Sequence, residues 1–452
     1  MNRRDFLTAS AASLILPSLA SASCRKSEAK REEKAGWICL KLEGEPREIG
    51  FQHGSALAKE IDDAISALKL DLNHENSDTW ERVKAAGTKL FSAKLEPEYR
   101  EEMEGIAAGI KSKGYAYDFA DILAYNAHIE ITGYYFPLLE KRKTGLAKSG
   151  APTACSAFVA TGSATSDGKI VMGHNLWWDY LMGQRWRVLL DIRPKKGNRF
   201  IMDALPGFIH SGSDFALNAN GILVTETTIG GFMGFDPDGI PEFIRMRKAT
   251  QYANSLDDFL RVMKEGNNGG YANTWLLGDV KTNEIGKLEL GLKNVIFSRS
   301  KDGFFYGANF PEDPTLTREE CYPGAEDNLS CRGRRPRWKK LLDANKGKLD
   351  VEVAKTMLAD TYDETTKKQG ASIATLCGRA DLDSRTGYSL SGAVNTKIVT
   401  SALAKEMKLW ARMGFSDGSS LNVAEYMGRN PKRKWLQPYL RDIPAQPWIL
   451  QG

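Results

Sequence analysis

The hydrophobic pattern changes period once along the chain, and the change falls at residue 155. Between 46 and 140 the apolar positions keep helical spacing. Leu57, Ile61, Ile65 and Leu68 form one stripe of an amphipathic helix. Asp78 with Glu81 three residues on predicts a helix start by the capping-box rule, for a run reaching about Leu90. A run over 98–113 stops at Gly114, a residue suited to the left-handed turn that ends a helix. A fourth helix is predicted over 118–131. The stretch 140–154 is polar, contains Gly145, Gly150 and Pro152, and has no apolar period, so it reads as an exposed linker. From Cys155 onward the pattern is of short strands, at 156–161, 170–177, 186–192, 198–204, 215–217, 222–227, 275–277 and 287–290. Asp167-Gly168 and Asn220-Gly221 are hairpin turns between neighbouring runs. Helices are predicted over 242–264, 337–344, 351–362 and 401–413. Hairpins interleaved with grouped helices predict an α+β fold with sheets inside and helices outside.

Composition narrows this little. Of 452 residues 42% are hydrophobic and 26% charged, which fits a folded chain with a sizeable core. The 62 basic and 57 acidic residues nearly balance, at +5, and give no expectation of nucleic acid as a partner. The basic run Arg332, Arg334, Arg335, Arg337, Lys339 and Lys340 reads as a solvated face.

The N-terminus says more. Arg3-Arg4-Asp5-Phe6-Leu7 is a twin-arginine export pattern, and the apolar stretch 6–19 is shorter than the ~20 residues a membrane span needs. Residues 1–22 therefore read as a signal peptide, with Ala20-Ser21-Ala22 as its cleavage site, and 23–45 as a tether. The expected location is periplasmic or extracellular. Cys24 is a candidate lipid anchor, although Ser21 stands where such sites usually carry Leu. In an oxidising compartment Cys321 and Cys331 are candidates for a disulfide. No cysteine or histidine spacing suggests a metal site, and no cofactor is implied.

The junction at Cys155 carries the chemistry. A nucleophile that must also become a chain end needs a cleavable linker before it and a strand after it. A free α-amine has a pKa of about 7.7–8 and can act as a general base near neutral pH. A thiol is a good nucleophile once partly deprotonated. One residue then supplies both partners, with the prosegment 46–154 ahead of it and a catalytic domain 155–452 behind. His174, at the end of the second predicted strand, is brought near Cys155 by the hairpin. Trp177 and Trp178 follow it and can wall an acyl pocket. Read alone, Cys155, His174 and both tryptophans fit buried structural roles as well.

Several blocks, in order, carry a resemblance. They are Cys155-Ser156-Ala157, His174-Asn175-Leu176-Trp177, Leu205-Pro206-Gly207-Phe208, Ser213-Asp214-Phe215, Leu223-Val224-Thr225-Glu226-Thr227-Thr228, Gly270-Tyr271-Ala272-Asn273-Thr274-Trp275 and Gly392-Ala393-Val394-Asn395-Thr396-Lys397. Together with Ser401 and Leu409-Trp410-Ala411-Arg412 they resemble the phospholipase B-like (lamina ancestor) family of N-terminal-nucleophile (Ntn) hydrolases over about 155–420. Gly44-Glu45, Glu48-Ile49-Gly50 and Gly54 are similar to the start of acyl-coenzyme A:isopenicillin N acyltransferase-like proteins, a related Ntn group.

The resemblance implies a four-layer αββα sandwich and self-cleavage before Cys155. It implies Cys155 as nucleophile and Asn273 as oxyanion donor. His174 and Trp177 would line the site, with Thr225, Glu226 and Thr227 close by. Two positions depart from the family pattern: Ala272 replaces the first of two asparagines, and Ser213 the first of two aspartates. The expected substrate is a small acyl-containing molecule: a phospholipid, an N-acyl amide or a peptide. Acyl transfer to an amine, or ligand binding without turnover, stays open at this point, as does whether the prosegment remains associated after cleavage.

Overall fold

A computed structural model describes residues 29–144 and 155–452. The expected signal peptide 1–22, Cys24 and the last ten residues of the linker, with Ala154, lie outside the described residues. The strands are β1 (Lys30–Lys34), β2 (Trp37–Gly44), β3 (Cys155–Thr161), β4 (Val171–Asp179), β5 (Val188–Pro194), β6 (Phe200–Ala204), β7 (Ala216–Asn218), β8 (Ile222–Thr228) and β9 (Asn273–Asp279). They continue as β10 (Glu284–Leu290), β11 (Val295–Ser300), β12 (Gly303–Gly307), β13 (Tyr362–Asp363), β14 (Lys368–Gln369), β15 (Ser391–Thr400), β16 (Leu409–Met413) and β17 (Ile449–Gln451). One sheet has nine strands in the order β1-β2-β5-β6-β7-β8-β9-β10-β11, and another has six in the order β12-β3-β4-β15-β16-β17. Only the β2–β5 pairing within these two sheets is parallel. The short β13–β14 hairpin stands apart.

The layers can be read from strand parity. In β3, Ala157 and Val159 face the second sheet, packed with Leu223 and Leu276 of the nine-stranded sheet. Phe158 and Ala160 point the other way, onto Trp338, Leu342, Met357 and Leu358 of the helices Leu329–Ala344 and Val351–Leu358. On the far side of the nine-stranded sheet, Val224, Trp275 and Leu277 pack on Phe243, Phe259 and Val262 of the helices Glu242–Tyr252 and Leu256–Lys264. The central strands β3, β4, β8 and β9 are buried on both faces, which is why several runs after Cys155 are so continuously apolar. The α+β expectation holds, with helix, sheet, sheet and helix as successive layers.

Residues read as a tether do more than link. Lys30–Lys34 and Trp37–Gly44 form a hairpin, and Trp37, Ile38 and Leu40 are fully buried. This segment thus completes the edge of the nine-stranded sheet and leads into the prosegment. Its helices pack closely as well. Gly50 and Gly54 on the helix Pro46–Ala56 lie against Gly105 and Gly109 on Pro97–Lys111. A methyl group on Gly50 or Gly54 would collide with the carbonyl of Glu102 or Ile106, and one on Gly105 or Gly109 with that of Arg47 or Phe51. Two small-residue stripes four apart let the backbones touch, a device that any larger side chain would break.

Several element expectations are corrected. The predicted helix 242–264 is two helices, because Ser255 caps a new start by accepting from the Asp258 amide. The predicted helix 401–413 is a short helix, Ser401–Lys405, followed by β16. Leu409, Ala411 and Met413 are buried while Trp410 and Arg412 are half-buried, a strand period too brief to stand out. The helix at 337–344 begins earlier, at Leu329, where the Asn328 side chain caps it, and runs through Pro336. Cys321 and Cys331 are both free. The Cys331 thiol instead points at the Ala308 carbonyl, 3.4 Å away. Among the described residues no helix is long and apolar enough to cross a membrane.

Candidate active site

Cys155 is the first residue of β3 and pairs in register with Leu176 of β4, which puts Ala157 opposite His174. Its parity with Ala157 and Val159 turns the thiol toward the space between the sheets. Its backbone is held on both sides. The amide donates to Asn309 Oδ1 at 2.9 Å, and the carbonyl accepts from Arg334 Nη1. Arg334 also donates to Ser156 Oγ at 3.1 Å, to Asn309 Oδ1 at 2.9 Å and to the Ala308 carbonyl at 3.3 Å. Asn309 in turn donates to the Thr228 carbonyl, tying the start of β3 to the end of β8.

Arg334 was expected on a solvated face, with its basic neighbours. It is fully buried, and its guanidinium lies 4.3 Å from the Trp177 ring. Burial lowers it to about 10, so it is still a cation at neutral pH. Nothing in a basic run tells the inward residue from the outward ones. Only the helical phase set by Cys331, Trp338 and Leu342 does. With Ser330 Oγ, which accepts from Nε at 2.9 Å, the planar fork serves five acceptors and is not replaceable by a point charge. Arg334→Lys is expected to lower stability by about 2–3 kcal/mol in urea unfolding, because buried acceptors lose their donor.

The thiol lies 3.5 Å from Glu226 Oε1. The Cys155, His174 and Glu226 side chains each offer an atom within 4.8 Å of the others. All three are charge-poor. Burial pushes the Cys155 thiol well up, with Glu226 adding to it. Burial, then Asp214, pushes Glu226 well above the carboxylate range. Burial, then Lys397, holds His174 well below the ordinary imidazole value. The result is a protonated thiol beside a neutral imidazole whose two ring nitrogens have no hydrogen-bond partner. At 1% exposure Cys155 cannot be reached by a substrate in this state.

Around this centre the other expected residues divide. Asn273, which opens β9, donates from Nδ2 to Asp214 Oδ2 at 3.2 Å, and its Oδ1 is buried without a partner. Thr225 and Thr227 share the parity of Leu223 and face the six-stranded sheet, with Thr227 against Gly307. Their hydroxyls also lack partners. Trp178 lies on the His174 side of β4, 5.0 Å from Trp186. Trp177 is on the opposite face, donating to the Leu376 carbonyl at 3.3 Å and stacked under Arg334. The indole braces the arginine that holds Cys155 and is turned away from the thiol, which only the Trp177 backbone amide reaches.

Residues with no role in the sequence reading complete the site. Lys397, opposite His174 across the β4–β15 pairing, makes a fully buried ion pair with Asp203 at 2.7 Å. The Ser211 and Ser213 hydroxyls donate to the same carboxylate at 3.0 and 2.6 Å. Asn309 had no signal in the sequence, since it lies far from Cys155 along the chain.

Comparison with known proteins gives the family. A family model described as Phospholipase B matches residues 84–309, half of the chain. An uncharacterized protein of Archaeoglobus fulgidus is 29% identical over 264 residues, covering 56% of this chain and 42% of that protein. Putative phospholipase B-like 2 of Rattus norvegicus is 28% identical over 155 residues, covering 31% of this chain and 26% of that protein. Phospholipase B-like 1 of Bos taurus is 23% identical over 275 residues, covering 54% and 50%. The matches to these relatives thus span half of their length or less.

Proposed function

This chain belongs to the phospholipase B family, and from that premise we propose that it is an exported, self-processing hydrolase that cleaves an acyl ester or amide through a thioester on Cys155. The observation that carries the reading is the hold on Cys155. Its amide and carbonyl are fixed by Asn309 and Arg334 while its thiol faces Glu226 and His174.

Maturation proceeds by addition of the Cys155 thiol to the carbonyl of residue 154. The peptide C–N bond breaks, the amine of Cys155 takes up a proton, and a thioester remains. Water then hydrolyses the thioester, leaving a carboxylate on residue 154 and a free thiol and amine on Cys155. His174, neutral and unpartnered beside the thiol, is placed to take its proton in the first step. The new amine occupies the position of the present amide, which already donates to Asn309 Oδ1. The Arg334 cation next to it disfavours a second positive charge, so the amine is biased toward its free-base form at neutral pH. That form accepts the thiol proton in each later acyl transfer. Asn273 uses one amide hydrogen on Asp214 and has another for the oxyanion, a contact worth about 3–4 kcal/mol in comparable sites.

Intact mass and N-terminal sequencing test this. The purified protein is expected as two pieces, one beginning at Cys155. The two pieces are expected to co-elute in native buffer and separate only in denaturant, because β1 and β2 belong to the nine-stranded sheet. Brief mixing with a p-nitrophenyl acyl ester and acid quench is expected to add one acyl mass to the Cys155 piece. A single uncut chain that takes up no acyl group would overturn the proposal.

A further inference from the structure

A second buried cluster shares with the proposed chemistry only the contact of Asp214 with Asn273. It consists of His210 and Asp214, from the loop between β6 and β7, and Glu242, the first residue of the helix Glu242–Tyr252. One ligand-type atom from each lies within 4.8 Å of the other two. His210 and Glu242 are 2% exposed and Asp214 is fully buried. The Oε1 of Glu242 has no hydrogen-bond partner, and neither ring nitrogen of His210 makes a well-formed one, the Asn126 backbone being its only close polar neighbour among the described residues. Buried polar groups are normally hydrogen-bonded, so unpaired ones in a dry interior call for a partner.

Charge makes the same demand. Asp214, Glu242, Glu226 and Glu130 all lie in this region, and none forms an ion pair among the described residues. Arg245 is the nearest guanidinium, but it is spent on the Ile240, Met263 and Gly270 carbonyls and on Asn268. Unpaired carboxylates of this kind are stable only with a proton or a cation. The imidazole suits a cation. Its ring is set by stacking on Phe208, 4.6 Å between centroids at 15°. The carboxylate of Asp214 is set from behind by the Gly212 amide at 3.1 Å and by Asn273 at 3.2 Å. Ligands oriented by neighbouring hydrogen bonds are the usual support of a metal site.

The geometry points to a divalent metal site formed by His210, Asp214 and Glu242. One imidazole and two carboxylates are borderline donors that fit zinc, with manganese(II) as the alternative of the same chemistry, and they are too few and too nitrogen-rich for calcium. Through Asp214 the ion would also steady Asn273.

The test uses the full chain carrying Cys155→Ala, so that the thiol contributes no ligand. After treatment with EDTA and dialysis against zinc, one zinc per chain is expected by elemental mass spectrometry, with a raised thermal midpoint that EDTA reverses. Dialysis against manganese separates the two ions. Glu242→Gln and His210→Phe, which keep shape and stacking, are expected to weaken zinc binding at least tenfold. Should either variant fail to fold, cobalt(II) titration of the Cys155→Ala chain decides instead, with visible d–d bands and no thiolate charge-transfer band expected. A Cys155→Ala chain that takes up neither zinc, manganese nor cobalt overturns the assignment, as do folded variants that bind zinc as tightly as their parent.

Discussion

A Cys155→Ala chain is expected to purify as one uncut polypeptide and to lose acyl hydrolysis by about 10⁴-fold or more, the scale seen when a covalent nucleophile is removed. The substitution deletes one sulfur atom and nothing else. The backbone bonds to Asn309 and Arg334 do not involve the side chain, so the start of β3 keeps its anchor. The fold is therefore expected to survive, and the loss isolates chemistry from stability. Cys155→Ser separates two versions of the reading. A hydroxyl can make the same acyl shift, but it is far less acidic than a thiol and its ester forms more slowly. Slow, incomplete cleavage in the Ser chain with none in the Ala chain is the expected pair of results on denaturing gels over days. A fully processed Cys155→Ala chain would show that the cut is made by another agent, and the thioester proposal would fall with it.

Much of this arrangement was legible from residue pattern. The switch from helical to strand spacing at Cys155 marks the boundary at which the six-stranded sheet receives its strand β3, because a strand buried on both faces reads as a nearly continuous apolar run. Antiparallel pairing of β3 with β4 places His174 beside Cys155, although the connection over 162–170 is longer than the Asp167-Gly168 turn alone. What escaped is non-local. Residues 30–44 look polar and mixed because β1 lies exposed at the sheet edge, and only β2 is buried. Arg334 and Lys397 carry charge, and a charge in sequence reads as solvent. Their burial depends on partners that no spacing reveals, Asn309 and the Cys155 carbonyl for the first, Asp203 for the second. Trp177 was sequence-adjacent to the site, yet strand parity sends it to the other face. Proximity along a strand is a poor guide to proximity across it.

The second large effect is expected at Lys397. Its ammonium and the Asp203 carboxylate are 2.7 Å apart, and neither side chain has any exposure. Taking two charges out of water is repaid only by close mutual contact and by hydrogen bonds to what remains. Here Ser211, Ser213 and Asn395 supply them. Lys397→Met keeps the length of the side chain and leaves Asp203 charged and unpaired, so a loss of about 3–5 kcal/mol is expected in urea unfolding. Adding Asp203→Asn removes the stranded charge while keeping acceptors for both serines. The double variant is expected to recover at least half of the loss, and such non-additivity is the signature of a direct pair. The same variant reaches the site chemically. Lys397 is, after burial, the influence that holds His174 in its neutral form. In the Lys397→Met chain the imidazole is expected to titrate at higher pH, measurable by NMR on labelled histidine, so protonation of the thiol's neighbouring base would begin nearer neutrality. If Lys397→Met costs under about 1 kcal/mol, or the double variant is no better than the single, the ion pair is not what holds β15 to β6. The neutral state of His174 would then have to rest on burial alone.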